Sequence, residues 1–177
     1  MAAPRFVDQL NVQIGNELSA HNQYLTCAIY YDALTMPQMA AFFYAQALEE
    51  RAHAMMMVQY LLDADEDVVI PAVEAPQVSF SDVAGPVELA LEQERRVTGQ
   101  IQQLALTARD EVDLVAEQFM HWFLKEQREE VSSMSSLLDV VTRSTNDVMH
   151  VEDFLARETV GDGGVEASAP PAAGGAL

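Results

Sequence analysis

Residues 43–61 read FYAQALEERAHAMMMVQYL. The apolar residues of this stretch recur at steps of four and three, which is the spacing of one face of an α-helix, and its Ala, Leu, Met, Gln and Glu content favours helix. Glu50 falls inside the apolar face, and His53 lies one turn further along the same side. The stretch therefore predicts a helix that brings a carboxylate and an imidazole into the core.

The chain on either side of this stretch shows the same helical period and no block that favours a strand. With Gly and Pro as the limits, we expect four long helices at about 6–33, 37–64, 84–109 and 113–142, and a short fifth helix at about 147–158. Only a few residues separate the first helix from the second and the third from the fourth. Each of these pairs is therefore expected to form an antiparallel hairpin.

The connection over residues 65–85, DEDVVIPAVEAPQVSFSDVAG, has two prolines and no helical period. At about 3.3 Å per residue it can cover roughly 65 Å, whereas a 25-residue helix is only about 38 Å long. The connection can therefore run the length of the molecule, so that the second and third helices are parallel. We predict an all-α fold, an antiparallel four-helix bundle with one long crossover and a short fifth C-terminal helix.

Every long helix places at least one carboxylate inside its apolar seam, near mid-length. These residues are Glu17, Glu50, Glu94, Glu126 and Glu130. Unpaired buried carboxylates cost several kcal/mol each and repel one another, so they need protons, Lys or Arg partners, or metal cations. The Lys and Arg positions mostly point away from the seams, which favours metal. Oxygen ligands with one imidazole suit iron or manganese.

The spacing of these acids also matches a dinuclear carboxylate site, to which bundle helices contribute single glutamates and Glu-x-x-His pairs. Glu50 and His53 form the one Glu-x-x-His of the chain, since the fourth helix has no histidine at 129 or 133. About residues 5–158 resemble a bacterial non-haem ferritin. The resemblance rests on Glu17, Tyr24, Glu49-Glu50-x-x-His53, Glu94, Trp122 and Glu126-Gln127-x-Glu129-Glu130.

The resemblance implies a role for each matching residue. Glu17, Glu50 and His53 would bind a first iron, with Gln127 beside it. Glu50 would bridge to a second iron held by Glu94 and Glu130.

A third iron position is implied by Glu49, Glu126 and Glu129, together with Glu130. Tyr24 would lie next to the centre as an electron donor. A solvated acidic face is the alternative interpretation of Glu49, Glu126 and Glu129.

The same resemblance implies iron storage and detoxification in a hollow cage of 24 subunits. The chain would be a ferroxidase that oxidises Fe(II) to Fe(III) with dioxygen or peroxide and stores the product as a mineral. Haem is not expected, because Gln127 and the missing fourth-helix imidazole argue against the bacterioferritin branch; Met55, Met56 and Met57 are interpreted as core or interface filling. The alternatives are a passive cation-binding protective cage with little redox turnover and a di-iron oxidase of an organic substrate.

The charge limits the choice of partners. The 177 residues include 28 Asp and Glu against 9 Lys and Arg, a net charge of −19. This excludes a basic groove for nucleic acid and disfavours an anionic membrane surface. With neither an apolar span nor a secretory signal in the sequence, we expect a cytoplasmic protein. Cys27 is the only cysteine, which leaves no disulfide framework or thiolate zinc site.

The last residues differ in composition from the rest. We divide the chain into a domain at 1–160 and a flexible tail at 161–177, because Gly, Ala and Pro there offer little to bury. An alternative function of the tail is docking to a partner shell. Apolar residues outside the seams, such as Phe42 and Tyr60, predict contacts between identical subunits.

Overall fold

The computed structural model describes residues 2–144, 147–158 and 168–175. These residues form five α-helices and no strand. The helices are α1 Pro4–Ala33, α2 Pro37–Asp63, α3 Gly85–Asp110, α4 Leu114–Arg143 and α5 Val148–Arg157. The predicted all-α fold with four long helices and a short fifth is confirmed, with limits within two residues of those expected.

The helix starts follow from local chemistry. Proline occupies the first turn of α1, α2 and α3, where its missing N–H leaves no bond unmade. Pro4 accounts for the start of α1 two residues before the expected position. Asp113 and Asp147 cap α4 and α5 by accepting hydrogen bonds from Ala116 N and His150 N.

Two residues after the last residue of α1, α2 and α3, the chain has a non-glycine residue in the left-handed conformation. Thr35, Asp65 and Val112 have φ of 59°, 58° and 58°. After α1, Met36 N donates to Tyr31 O at 3.0 Å, the bond that closes a Schellman motif. Because none of these residues is glycine, the glycine pattern of the sequence does not reveal these turns.

Contacts between the helices fix their directions. Tyr24 bonds to Glu94, and Gln13 lies 3.3 Å from Gln100. Residues earlier in α1 therefore lie next to residues later in α3. Helix α1 is therefore antiparallel to α3. Since the short turn at 34–36 makes α2 antiparallel to α1 as well, α2 and α3 are parallel. The predicted long crossover is confirmed.

The crossover lies along α1 and follows it from one end towards the other. Its main chain bonds to three α1 side chains in succession: Asn11 to Asp67 O and Val69 N, Gln23 to both Gln77 N and Gln77 O, and Tyr31 to Val83 O. Two side-chain amides and one hydroxyl thus satisfy backbone groups of a segment that has no secondary structure of its own.

The apolar core is divided into two clusters. One contains Phe6, Leu10, Met57, Ile101 and Phe123 among its members. The other contains residues nearer the opposite end, including Tyr31, Phe43, Val87, Leu137 and Val141. The positions between them on α1 to α4 are the seam carboxylates, so the fold places a buried polar layer across the middle of the bundle.

The two C-terminal segments contact the bundle through α2. The carboxylate of Glu152 accepts from Gln38 N at 2.8 Å and Met39 N at 3.0 Å, so α5 supplies the cap that α2 lacks in its own sequence. Ala173 N donates to Met55 O at 3.0 Å, and Ala169 packs on the core. The flexibility expected of 161–177 stays a prediction, and 161–167 and 176–177 lie outside the described residues. None of the helices described here has the length and apolar character of a bilayer span.

Candidate metal centre

Two neighbouring helices provide the first group of ligand atoms. Glu17 of α1 and Glu50 and His53 of α2 are all buried, and one ligand atom from each lies within 4.8 Å of the others. The three-residue step from Glu50 to His53 puts both side chains on one face of α2. The structure thus brings together the three residues predicted for the first metal position.

Helices α3 and α4 complete the layer with Glu94 and Glu130, which are also buried. Gln127 Nε2 donates to Glu94 Oε2 at 3.0 Å, and the Tyr24 hydroxyl donates to Glu94 Oε1. Both oxygens of Glu94 therefore accept a hydrogen bond. The structure places Gln127 and Tyr24 against the carboxylate that was expected to hold the second cation.

The electrostatics of the layer oppose ionisation. Burial raises the pKa of Glu94 to about 7, and burial also raises the pKa of Glu17. The pKa values of Glu50 and Glu130 lie well above normal because of burial and, next, the charge of Glu94. Repulsion among the acids of the four helices thus adds to the effect of burial.

Several oxygen atoms in this layer are suited to a cation. Glu17 Oε2 and Glu130 Oε2 are buried and have no hydrogen-bond partner among the described residues. Glu50 Oε2 lies 3.6 Å from His53 Nδ1, which is longer than a hydrogen bond. Buried carboxylate oxygens without donors are costly unless a proton or a cation binds them, and a set of carboxylates with one imidazole fits a hard or borderline metal ion.

A second group of ligand atoms adjoins the first and shares His53. Glu49, His53 and Glu126 also offer atoms within 4.8 Å of one another. Glu129, which the resemblance assigned to the third iron position, is half-buried and belongs to neither group among the described residues. The structure thus brings two of the carboxylates assigned to the third position together with His53, and the assignment of Glu129 stays a prediction.

Aromatic rings surround His53. Its ring makes edge-to-face contacts with Trp122 and Phe123, each with centroids 5.7 Å apart. Tyr24 packs against Phe43 on the other side of the layer. These contacts hold the imidazole in place and keep the surroundings of the carboxylates apolar.

Three of the arginines near the seam positions lie on the surface, whereas Arg51, next to Glu50, is half-buried. Arg95, Arg96 and Arg128 are exposed. This agrees with the expectation that the cationic side chains near the seams point outward, so these three do not compensate the buried carboxylates.

Two buried glutamines, which were not among the predicted site residues, contact the ligands. Gln13 Nε2 donates to Glu17 Oε1 at 2.7 Å. Gln46 Nε2 donates to Glu49 Oε2 at 2.8 Å and lies 3.4 Å from Glu130 Oε1. The signal was available: each glutamine precedes a seam glutamate by four residues, one helical turn, and shares its face.

Comparison with known proteins gives consistent matches over most of the chain. Residues 7–144 match the family model described as a ferritin-like domain. Ferritin BfrB of Mycolicibacterium smegmatis is 51% identical over 165 residues, which is 93% of this chain and 91% of that protein. A bacterial non-heme ferritin of Staphylococcus epidermidis is 33% identical over 147 residues, or 83% of this chain and 89% of that protein.

Solved structures give the same result for the fold. A ferritin of Archaeoglobus fulgidus, engineered into a closed form, superposes with a TM-score of 0.85 at 26% identity. The match covers 90% of this chain and 99% of that one.

Proposed function

The chain belongs to the ferritin-like family, and from this membership we propose that it is an iron-storing ferroxidase. The supporting observation is the buried layer in which carboxylates from all four long helices meet one imidazole. Such a layer is unfavourable without cations and favourable with them. Iron is the substrate and cargo in this proposal rather than a resident cofactor.

In the proposed reaction, two Fe(II) ions lose one electron each and dioxygen takes up the two electrons and two protons to become hydrogen peroxide. Peroxide can replace dioxygen as the oxidant, in which case its two-electron reduction gives water. Glu17, Glu50 and His53 hold the first iron. Glu50 reaches towards the second, which Glu94 and Glu130 hold. Because anionic oxygens bind Fe(III) more tightly than Fe(II), the ligand set favours the oxidised product.

The residues next to the pair have separate roles in the proposal. Tyr24, bonded to Glu94, lies where it can donate an electron, and Gln127 holds the same carboxylate from α4. Glu49, Glu126 and Glu129 supply a third position with Glu130. The burial of the layer excludes bulk water from the reacting ions.

We also propose that the subunits form a hollow homo-oligomeric cage, of 24 copies by analogy with the family, in the cytoplasm, and that the product is stored inside as mineral. Apolar side chains that no bundle contact requires support an assembly. Among them are Leu34, Leu48, Leu62, Leu114 and Val115, which are exposed in the single chain. The net charge of −19 per chain would give the cage a strong attraction for cations.

Aerobic addition of Fe(II) to the cation-free protein tests the proposal. We expect fast dioxygen uptake that is lost in Glu50→Ala and His53→Ala. The control is Glu92→Gln, because Glu92 is exposed and lies two residues from Glu94 on α3. Equal rates in all four proteins would reject the ferroxidase and leave the passive cation-binding cage as the function.

A further inference from the structure

Gln13 is a buried side chain that forms a small cluster with the Glu17 carboxylate and two other side-chain amides. Its Nε2 donates to Glu17 Oε1 at 2.7 Å and to Gln100 Oε1 at 3.3 Å. Its Oε1 accepts from Asn16 Nδ2 at 3.0 Å. The side chain is 2% exposed, so both of its N–H groups and its carbonyl are engaged away from bulk water.

These contacts fix which way the Gln13 amide faces. Reversing it would turn Oε1 towards the Glu17 carboxylate and the Gln100 carbonyl, which are both acceptors, and would turn NH₂ towards the NH₂ of Asn16. Every contact would then pair two acceptors or two donors. The donor is therefore held against Glu17 by groups on both α1 and α3.

The two oxygens of Glu17 differ as a result. Oε1 accepts the bond from Gln13, whereas Oε2 is buried and has no hydrogen-bond partner among the described residues. Glu17 contributes one ligand atom to the group with Glu50 and His53, and Oε2 is the oxygen that no hydrogen bond occupies. The rotation of this carboxylate is restricted before any cation arrives.

We propose that Gln13 is a positioning residue that makes Glu17 a one-oxygen ligand of the first divalent cation, with Asn16 and Gln100 holding Gln13 in place. The inference rests on the proposed function, since it takes the Glu17 group to be the first metal position. It adds a residue outside the ligand set.

The same helix offers a matched comparison. Gln23 is also a buried glutamine of α1, but it bonds to the main chain of Gln77 in the crossover and contacts no carboxylate of the layer. Replacing either glutamine by leucine removes a buried amide of the same size. Only the Gln13 change is expected to act on cation binding.

The test is a titration of the cation-free, assembled protein with Co(II). Calorimetry measures the affinity, and the visible absorption of bound Co(II) reports on its ligands. We expect Gln13→Leu to weaken Co(II) binding at the site of Glu17, Glu50 and His53 by about 10- to 100-fold. The absorption should also change, because Glu17 could then turn both oxygens towards the ion. Gln23→Leu should keep the wild-type affinity and spectrum even where it lowers thermal stability.

A second variant keeps the test decisive if Gln13→Leu does not fold. Asn16 and Gln100 are half-buried and touch Gln13 rather than a ligand. The double variant Asn16→Ala with Gln100→Ala should weaken the same site in the same direction, by less than Gln13→Leu. Unchanged Co(II) affinity and spectrum in the variants at this cluster, or an equal loss in Gln23→Leu, would overturn the proposal.

These outcomes are separate from those of the proposed function. A wild-type protein that binds Co(II) in the layer but does not oxidise Fe(II) would reject the ferroxidase and still report on Gln13. A ferroxidase whose Gln13→Leu variant binds Co(II) normally would reject the positioning role alone.

Discussion

The Tyr24 hydroxyl donates a hydrogen bond to Oε1 of Glu94, and this bond joins α1 to α3 within the carboxylate layer. The bond stabilises the ionised carboxylate and so lowers the pKa of Glu94, but burial has the larger, opposite effect, and the resulting pKa is about 7. A cation that binds Glu94 near neutral pH must therefore compete with a proton, and Tyr24 weakens that competition.

Replacing Tyr24 by phenylalanine should raise the pKa of Glu94 further and weaken the second cation site. A hydrogen bond to a charged group contributes about 1.5 kcal/mol or more, so we expect about tenfold weaker Co(II) binding at pH 7 and a smaller loss at pH 8.5. Co(II) titrations at pH 7 and pH 8.5 measure the loss of affinity. Tyr31→Phe is the control, because its hydroxyl bonds to Val83 O in the crossover. Equal affinity in Tyr24→Phe and wild type at both pH values would contradict the prediction.

The cation-free protein should lose stability as pH rises from about 4.5 to about 7. Burial raises the pKa of Glu94 from 4.5 to about 7, so in this window the folded chain binds more protons than the unfolded chain. The free energy of unfolding therefore falls with rising pH, and the contribution is lost above about pH 7. Denaturation midpoints at pH 5 and 7.5 measure the slope. Because the pKa values of Glu17, Glu50 and Glu130 are raised as well, Glu94→Gln should reduce the slope without abolishing it, whereas Glu92→Gln should leave it unchanged. A slope that is equal in both variants would refute the assignment to Glu94.

Alanine substitutions at two helical glycines should change the free energy of unfolding in opposite directions. A Cβ on Gly15 would lie 2.3 Å from Pro71 Cγ of the crossover, whereas a Cβ on Gly99 would meet nothing within 4 Å. Gly15→Ala should destabilise by about 1–3 kcal/mol through overpacking, and Gly99→Ala should stabilise by about 0.5–1 kcal/mol. Denaturant midpoints compare the two. A Gly15→Ala protein as stable as Gly99→Ala would show that the crossover is not packed as described.

The contact of α5 with α2 should depend on the Glu152 carboxylate. Glu152→Ala leaves Gln38 N and Met39 N without their acceptor and should destabilise by about 1–2 kcal/mol, with Glu152→Gln intermediate because an amide oxygen still accepts. Thermal unfolding and proteolysis near residue 158 measure the effect. Asp153→Ala, at the exposed neighbouring position, is the control. Early cleavage in the Asp153 variant as well would indicate general fraying of α5.

The sequence predicted the helices and the main ligands because both depend on local spacing. Glu17, Glu50 and Glu94 interrupt apolar seams at helical steps, and Glu50 with His53 spans one turn, so the face that each occupies follows from the 3.6-residue period. The turn residue Val112 was beyond prediction, because a β-branched side chain at φ of 58° runs against its own preference and is held by the helices on either side.

The sequence by itself determined four amphipathic helices, the long crossover between the second and third, and an acidic residue in the seam of each helix. Tertiary structure alone decided which donor meets which oxygen: Tyr24 reaches Glu94 across 70 residues, and Gln13 reaches Gln100 across 87. Helical period fixes the face on which a side chain lies. The register between helices fixes its partner, and that register is set by the packing of the two apolar clusters on either side of the layer.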